Sequence, residues 1–252
     1  MTHALLETLP DEVRQTLRSY VKDTATLFGG VVQSIVLYGS AARGDYLPGR
    51  SNLNVMMVLA TLELDGLKRY AKAHRRWSAE RIVVPLFLTE SDLDISRELY
   101  PLEYVEMQEH HVVLAGRDPF AGQPVDLGRM AMQCEQEIHG NLLRLRQRFV
   151  EGGGTIEAIG ILLPLSLTAL LPCLRGLYRV LRAPIPSAAD LLLPDVSATL
   201  QVDAAALQDV WNFKRGVISP GPMEMPRLFE RYVSALEQLM RRVKTMRADG
   251  RL

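Results

Sequence analysis

Two short constellations in this chain have residue types and spacing suited to chemistry: the pair Gly39-Ser40, and the asparagines Asn52 and Asn54. Gly39-Ser40 closes a β-branched run from Val31 to Tyr38 and opens Ala41-Ala42-Arg43, which reads as a helix start. At such a turn glycine lets a ligand approach the backbone closely and serine offers a hydroxyl. The first free N–H groups of the following helix favour an anion at the same spot. The arrangement suits the holding of a phosphate, and Arg43 and Arg50 flank the turn where they could contact the same group. Asn52 and Asn54 sit two residues apart on a second apolar run, Leu53 to Leu59, so both side chains project from one face. An asparagine amide offers one neutral oxygen and an N–H2 group that repels a cation. Mg²⁺, by contrast, prefers carboxylate and phosphate oxygens.

A Gly-Ser turn alone is common. The whole string Tyr38-Gly39-Ser40-Ala41-Ala42-Arg43-Gly44-Asp45, followed by the strand with Asn52 and Asn54, is more specific. It resembles the core of the nucleotidyltransferase superfamily of the DNA polymerase beta type. The resemblance implies a strand ending in Gly-Ser, a short helix, a turn, and a second strand bearing Asp-x-Asp. It also implies a third carboxylate on a later strand and two Mg²⁺ ions that align a triphosphate and activate an attacking hydroxyl. That chemistry is mostly charge neutralisation and positioning.

This sequence keeps the scaffold and departs at the ligand positions, where Asn52 and Asn54 stand for the two aspartates. The strand expected over Arg81 to Leu88 contains no acid. Glu80 precedes it, and Glu90, Asp92 and Asp94 follow it in a loop and helix start. Asp45 lies near the motif, where a solvent-exposed loop carboxylate is the ordinary reading. The expectation is a pseudoenzyme, with binding of a nucleotide or other phosphate ligand through Gly39, Ser40, Arg43, Asn52 and Asn54, or a scaffolding role. The alternative is an active enzyme using Mg and ATP, or another NTP, to transfer NMP to a small-molecule or protein hydroxyl. It would draw unusual metal ligands from Asp45 or the Glu90–Asp94 cluster. A third reading is an interaction module, a homodimer or a partner of another protein, with its pocket filled by side chains.

Composition narrows the classes. With 29 basic and 29 acidic residues the net charge is zero, which gives no global electrostatic case for nucleic acid. Cys134 and Cys173 make neither a disulfide framework nor a zinc spacing, so a reducing cytoplasm is expected. The first residues lack the basic stretch and apolar core of a signal peptide. From Ala158 to Leu174 no residue is charged. That run is shorter than the ~20 residues a bilayer requires and contains Pro164 and Pro172, so it reads as a buried bundle helix and no membrane span is expected.

The elements that must position these residues alternate in the first half. A helix is expected from Asp11 to Phe28, between Pro10 and Gly29-Gly30. Another is expected over Leu62 to Ser78, with Lys68, Arg69, Lys72, Arg75 and Arg76 on an exposed side. Pro85 makes the third strand an edge or a bulge, and Pro101–Met107 and His111–Ala115 read as two further short strands. His110 and His111 are adjacent, face opposite ways on such a strand, and read as structural or surface residues. A Pro- and Gly-rich joint, Asp118 to Pro124, separates this half from a helical one. There Leu127, Met130, Cys134, Ile138, Leu142, Leu145 and Phe149 recur at helical spacing. After Gly152-Gly153-Gly154 an apolar helix runs to about Leu181, a shorter one spans Ala204 to Lys214, and a last one carries Phe229, Val233, Leu236, Met240 and Val243 on one face.

The fold class expected is therefore α+β followed by α: a nucleotidyltransferase-like mixed-sheet domain with flanking helices over 1–118, then an all-α bundle of four or five helices over 125–252. The bundle resembles, in helicity and position, those accompanying many such domains, HEPN-type partners among them. HEPN ribonucleases carry an arginine followed four to six residues later by histidine on a bundle helix. His139, the only histidine of this half, has no arginine at that spacing before it. Arg144, Arg146 and Arg148 read as a solvated helix face or the lining of a cleft.

Overall fold

The β-branched runs form the centre of a sheet in the computed structural model, which describes residues 6–44, 46–186 and 189–252. The chain divides into two compact units, one ending at Val125 and one spanning Asp126–Leu252. In chain order the first unit contains α1 (Asp11–Phe28), β1 (Val32–Tyr38), α2 (Ser40–Arg43), β2 (Asn54–Leu59), α3 (Leu64–Ala79), β3 (Leu86–Leu88), α4 (Glu90–Leu99), α5 (Pro101–Glu109) and β4 (His111–Gly116). The strand order is β3-β2-β1-β4. β1 runs antiparallel to β2 and β4, and β2 runs parallel to β3.

Successive residues of the two central strands point to opposite faces, and each face has its own cover. Ile35 and Leu37 of β1, with Val55, Met57 and Leu59 of β2, pack under Leu17, Tyr20 and Phe28 of α1 and Tyr70 and Trp77 of α3. Val36, Met56 and Val58 point the other way, against Leu93 of α4, Tyr104 of α5 and Phe120. Because both faces are covered, these strands read as nearly continuous apolar runs. Under α1 and α3 the Tyr20 and Tyr70 hydroxyls meet at 3.1 Å, and burial raises the pKa of each.

Three expectations are corrected. Pro101–Met107 is helical, the start of α5: Pro101 takes the first helical turn, where its missing N–H is harmless, and Leu102 and Val105 are buried one turn apart. The third strand is only Leu86–Leu88, preceded by an isolated parallel bridge between Leu53 and Ile82. Its register slips by one residue between that bridge and the Met56–Leu86 pair, because Pro85 has no N–H for the ladder and the chain bulges around it on an edge strand. Third, Ala189–Leu200 is a helix where none was expected.

α4 begins with a capping box. The Thr89 hydroxyl accepts the Asp92 N–H at 3.2 Å, and the Asp92 carboxylate accepts the Thr89 N–H at 2.8 Å. The backbone bond and then the hydroxyl bond from Thr89 hold the Asp92 carboxyl below its ordinary pKa. A depressed folded pKa contributes stability that is present above the unfolded value near ~3.9 and lost as pH falls through the folded one. Thr89→Ala is expected to lower the unfolding free energy by about 1 kcal/mol at pH 7, with a smaller difference between variant and parent once Asp92 is protonated, as urea titrations at both pH values will measure.

The second unit contains five helices among the described residues: α6 (Leu127–Glu151), α7 (Ile156–Val180), α8 (Ala189–Leu200), α9 (Ala205–Lys214) and α10 (Glu224–Ala248). Asp126 caps α6 by accepting the Arg129 N–H, and Thr155 caps α7 by accepting the Ala158 N–H. α7 continues through Pro164 and Pro172, and the Thr168 hydroxyl donates to the Pro164 carbonyl at 2.6 Å. By length and composition α7 is apolar enough to cross a membrane. In this unit it packs against α6, α9 and α10, with Leu163, Leu167, Leu170, Leu174 and Leu177 buried. α8 holds Pro194 within it, and burial of Leu192, Leu193, Val196 and Leu200 outweighs the lost backbone bond.

Candidate ligand site at the Gly39–Ser40 turn

β1 delivers the chain to a turn that only glycine tolerates. Gly39 has φ +77° and ψ −152°, a region closed to residues with a side chain. A Cβ there would lie 2.6 Å from Asn54 Nδ2, so the Asn54 amide rests directly against the turn. The Gly39 carbonyl accepts the Ala42 and Arg43 N–H groups at 3.1 and 3.0 Å, which leaves the earlier N–H groups of α2 outside the intrahelical pattern. α2 has only four residues and ends at Gly44 with φ +87°. Its contribution is those N–H groups and the Ser40 hydroxyl, since a single turn builds no appreciable macrodipole.

Strand register assembles the rest. Tyr38 stands opposite Asn54 on one side and His111 on the other, so the three share a face at the end of the sheet. Burial raises the Tyr38 phenol pKa, which keeps it a neutral donor. His111 is structural: Nδ1 lies 3.0 Å from the Gln108 carbonyl, Nε2 lies 3.2 Å from Asp118, and its ring packs on Phe120.

Asn52 is exposed and precedes β2. The intervening Leu53 is buried, donates to the Arg81 carbonyl at 2.9 Å and accepts from the Val83 N–H at 3.2 Å. The backbone is thus extended, and Asn52 and Asn54 lie on one side of it. Arg81, at φ +62°, ties this segment down: Nε donates to the Ser51 carbonyl at 3.0 Å and Nη2 to the Arg50 carbonyl at 2.7 Å. Gly39, Ser40 and Asn54 therefore come together, with Tyr38 beside them. Arg43 lies 3.9 Å from Glu106 of α5, and Arg50 is an exposed residue of the tethered loop. Sequence reasoning did not single out Tyr38 or Arg81. The place of Tyr38 beside the motif was a signal, whereas the tether made by Arg81 has no local signature.

The three carboxylates that follow β3 are engaged elsewhere. Glu90 pairs with Arg117, Asp92 closes the α4 capping box, and Asp94 lies 3.2 Å from Arg97. Glu80 is exposed at the end of α3, and the bulged approach to β3 presents Val84 and Leu86 to solvent. Asp45 lies outside the described residues. Among the described residues no group of three His, Cys, Asp or Glu converges as a metal site. Two neutral amides are a donor set that does not fit the two-Mg²⁺ centre implied by the resemblance.

No protein-family model matches the sequence, and no curated protein matches it. Among solved structures the chain is similar to the crystal structure of spectinomycin adenyltransferase AAD(9) from Enterococcus faecialis with ATP and spectinomycin. The similarity has a TM-score of 0.50 at 11% identity and covers 90% of this chain and 98% of that one. At that identity the likeness is one of fold. The chain has a nucleotidyltransferase-like α+β fold, a mixed four-stranded sheet with flanking helices, followed by a helical region.

Proposed function

We propose that this chain binds a nucleotide, or another ligand bearing phosphate, at the Gly39–Ser40 turn without catalytic metals and without turning it over. One observation carries the reading: the Asn54 amide lies against Gly39, where β1 runs into the turn. A carboxylate in that position repels a phosphate unless a metal stands between them. An amide N–H2 can instead donate to a phosphate oxygen, alongside the Ser40 hydroxyl and the free N–H groups of α2. The solved structure of similar fold contains ATP, which supports ATP as the ligand to try first.

An active transferase remains the second reading, and it narrows to Asp45, because Glu90, Asp92 and Asp94 already have partners. Incubation with Mg²⁺, ATP labelled at the α-phosphate and spectinomycin separates the two. No transfer of label and no pyrophosphate above the protein-free rate is the expected result. Pyrophosphate release that disappears in Asp45→Asn overturns the proposal in favour of catalysis with an unusual ligand set.

A further inference from the structure

The helical unit carries a second constellation, unrelated to the Gly39–Ser40 turn. Where α6 and α7 lie side by side, a groove of about 290 Å³ is lined by Asn141, Arg144 and Arg148 of α6 and by Leu165, Ser166 and Ala169 of α7. Spacings of three and four place Asn141, Arg144 and Arg148 on one stripe of α6. A stripe that meets a neighbouring helix is ordinarily apolar, and this one is polar at all three positions. Arg146, between them in sequence, points elsewhere and pairs with Glu237 of α10 at 2.6 Å.

The floor of the groove is built rather than incidental. Asn141 and Ser166 are 5% and 8% exposed. Asn141 Nδ2 donates to the Ser166 carbonyl at 2.8 Å, the Ser166 hydroxyl donates to Asn141 Oδ1 at 2.5 Å, and the same hydroxyl lies 3.0 Å from the buried Tyr232 hydroxyl. Three helices thus contribute to one polar network in an otherwise leucine-rich interior, and the second amide hydrogen of Asn141 is unused by it. At the rim, among the described residues, Arg144 makes a long pair, 3.5 Å, to the half-exposed Glu137. Leu165, 53% exposed, leaves apolar surface on the opposite wall.

We propose that this groove binds a small organic anion, a carboxylate or phosphate monoester with a short apolar body. Guanidinium groups one helical turn apart can grip a carboxylate or phosphate through paired N–H donors. The leucine and alanine wall takes the apolar body, and the volume matches the small end of ligand sites.

Calorimetric titration of the full chain with phenyl phosphate and with phenylacetate tests this, and the tighter probe identifies the anion. Saturable single-site binding is expected for at least one of them. The double variant Arg144→Gln/Arg148→Gln is expected to weaken it about tenfold or more, since each charge-assisted bond lost is of that order. Ala169→Phe, which fills the groove but keeps both charges, is expected to weaken it by a similar factor, whereas Arg146→Gln leaves it unchanged. Circular dichroism melting of each variant checks that the fold is retained. The proposal is overturned if neither probe saturates, if Ala169→Phe binds like the parent, or if Ser40→Ala removes the binding.

Discussion

Gly39→Ala is expected to abolish ligand binding at the turn and to lower the unfolding free energy by about 1–3 kcal/mol. Two independent effects act together. The backbone at φ +77° and ψ −152° is strained for any residue with a Cβ, and the added methyl would meet the Asn54 amide at 2.6 Å. Relief requires either the turn or the Asn54 side chain to move, and both are parts of the proposed site. Gly49→Ala provides the comparison: Gly49 also has positive φ, +73°, but nothing lies within 4 Å of its added Cβ. Its cost is therefore backbone strain alone, and ligand binding should survive. Adding Asn54→Ala to Gly39→Ala should recover part of the stability, by removing the clash, and none of the binding. If Gly39→Ala binds ATP like the parent, the ligand does not sit at this turn.

The second large effect concerns charge. Asn52→Asp combined with Asn54→Asp is expected to weaken ATP binding in EDTA by about tenfold or more, because each new carboxylate repels the triphosphate by a few kcal/mol at short range and intermediate dielectric. Mg²⁺ should restore much of that loss in the double variant and change little in the parent. The substitutions are nearly isosteric, so folding is preserved and the readout is electrostatic. Turnover is not expected to appear, because the carboxylates that follow β3, Glu90, Asp92 and Asp94, are held by Arg117, Thr89 and Arg97. Unchanged affinity in EDTA would place Asn52 and Asn54 away from the ligand.

The parts of the fold that were legible in the sequence are those fixed by local physics. β1 and β2 announce themselves because both their faces are covered and their residues are almost all apolar. Pro85 correctly marked the third strand as irregular. The helical stripe of Met130, Cys134, Ile138, Leu142 and Leu145 was readable because it is the buried face of α6. What failed depended on partners distant in sequence. Leu102-Glu103-Tyr104-Val105-Glu106-Met107 mixes apolar and acidic residues in a way that imitates a strand, and its helical state rests on packing against the sheet through Tyr104. Pro194 reads as a breaker, yet the leucines around it are buried deeply enough to keep α8 helical. At the candidate site the Gly39–Ser40 turn was visible as a string. The contact of Asn54 with Gly39 follows from the pairing of β1 with β2, and the Arg81 tether closes a loop across thirty residues. Neither can be read from spacing.

The most direct test of a phosphate site without metals is calorimetric titration of ATP into the full chain, once in excess Mg²⁺ and once in EDTA. Saturable binding of equal strength in both buffers is the expected result. Binding that requires Mg²⁺ contradicts the proposed loss of the metal site and reopens the reading of an active transferase.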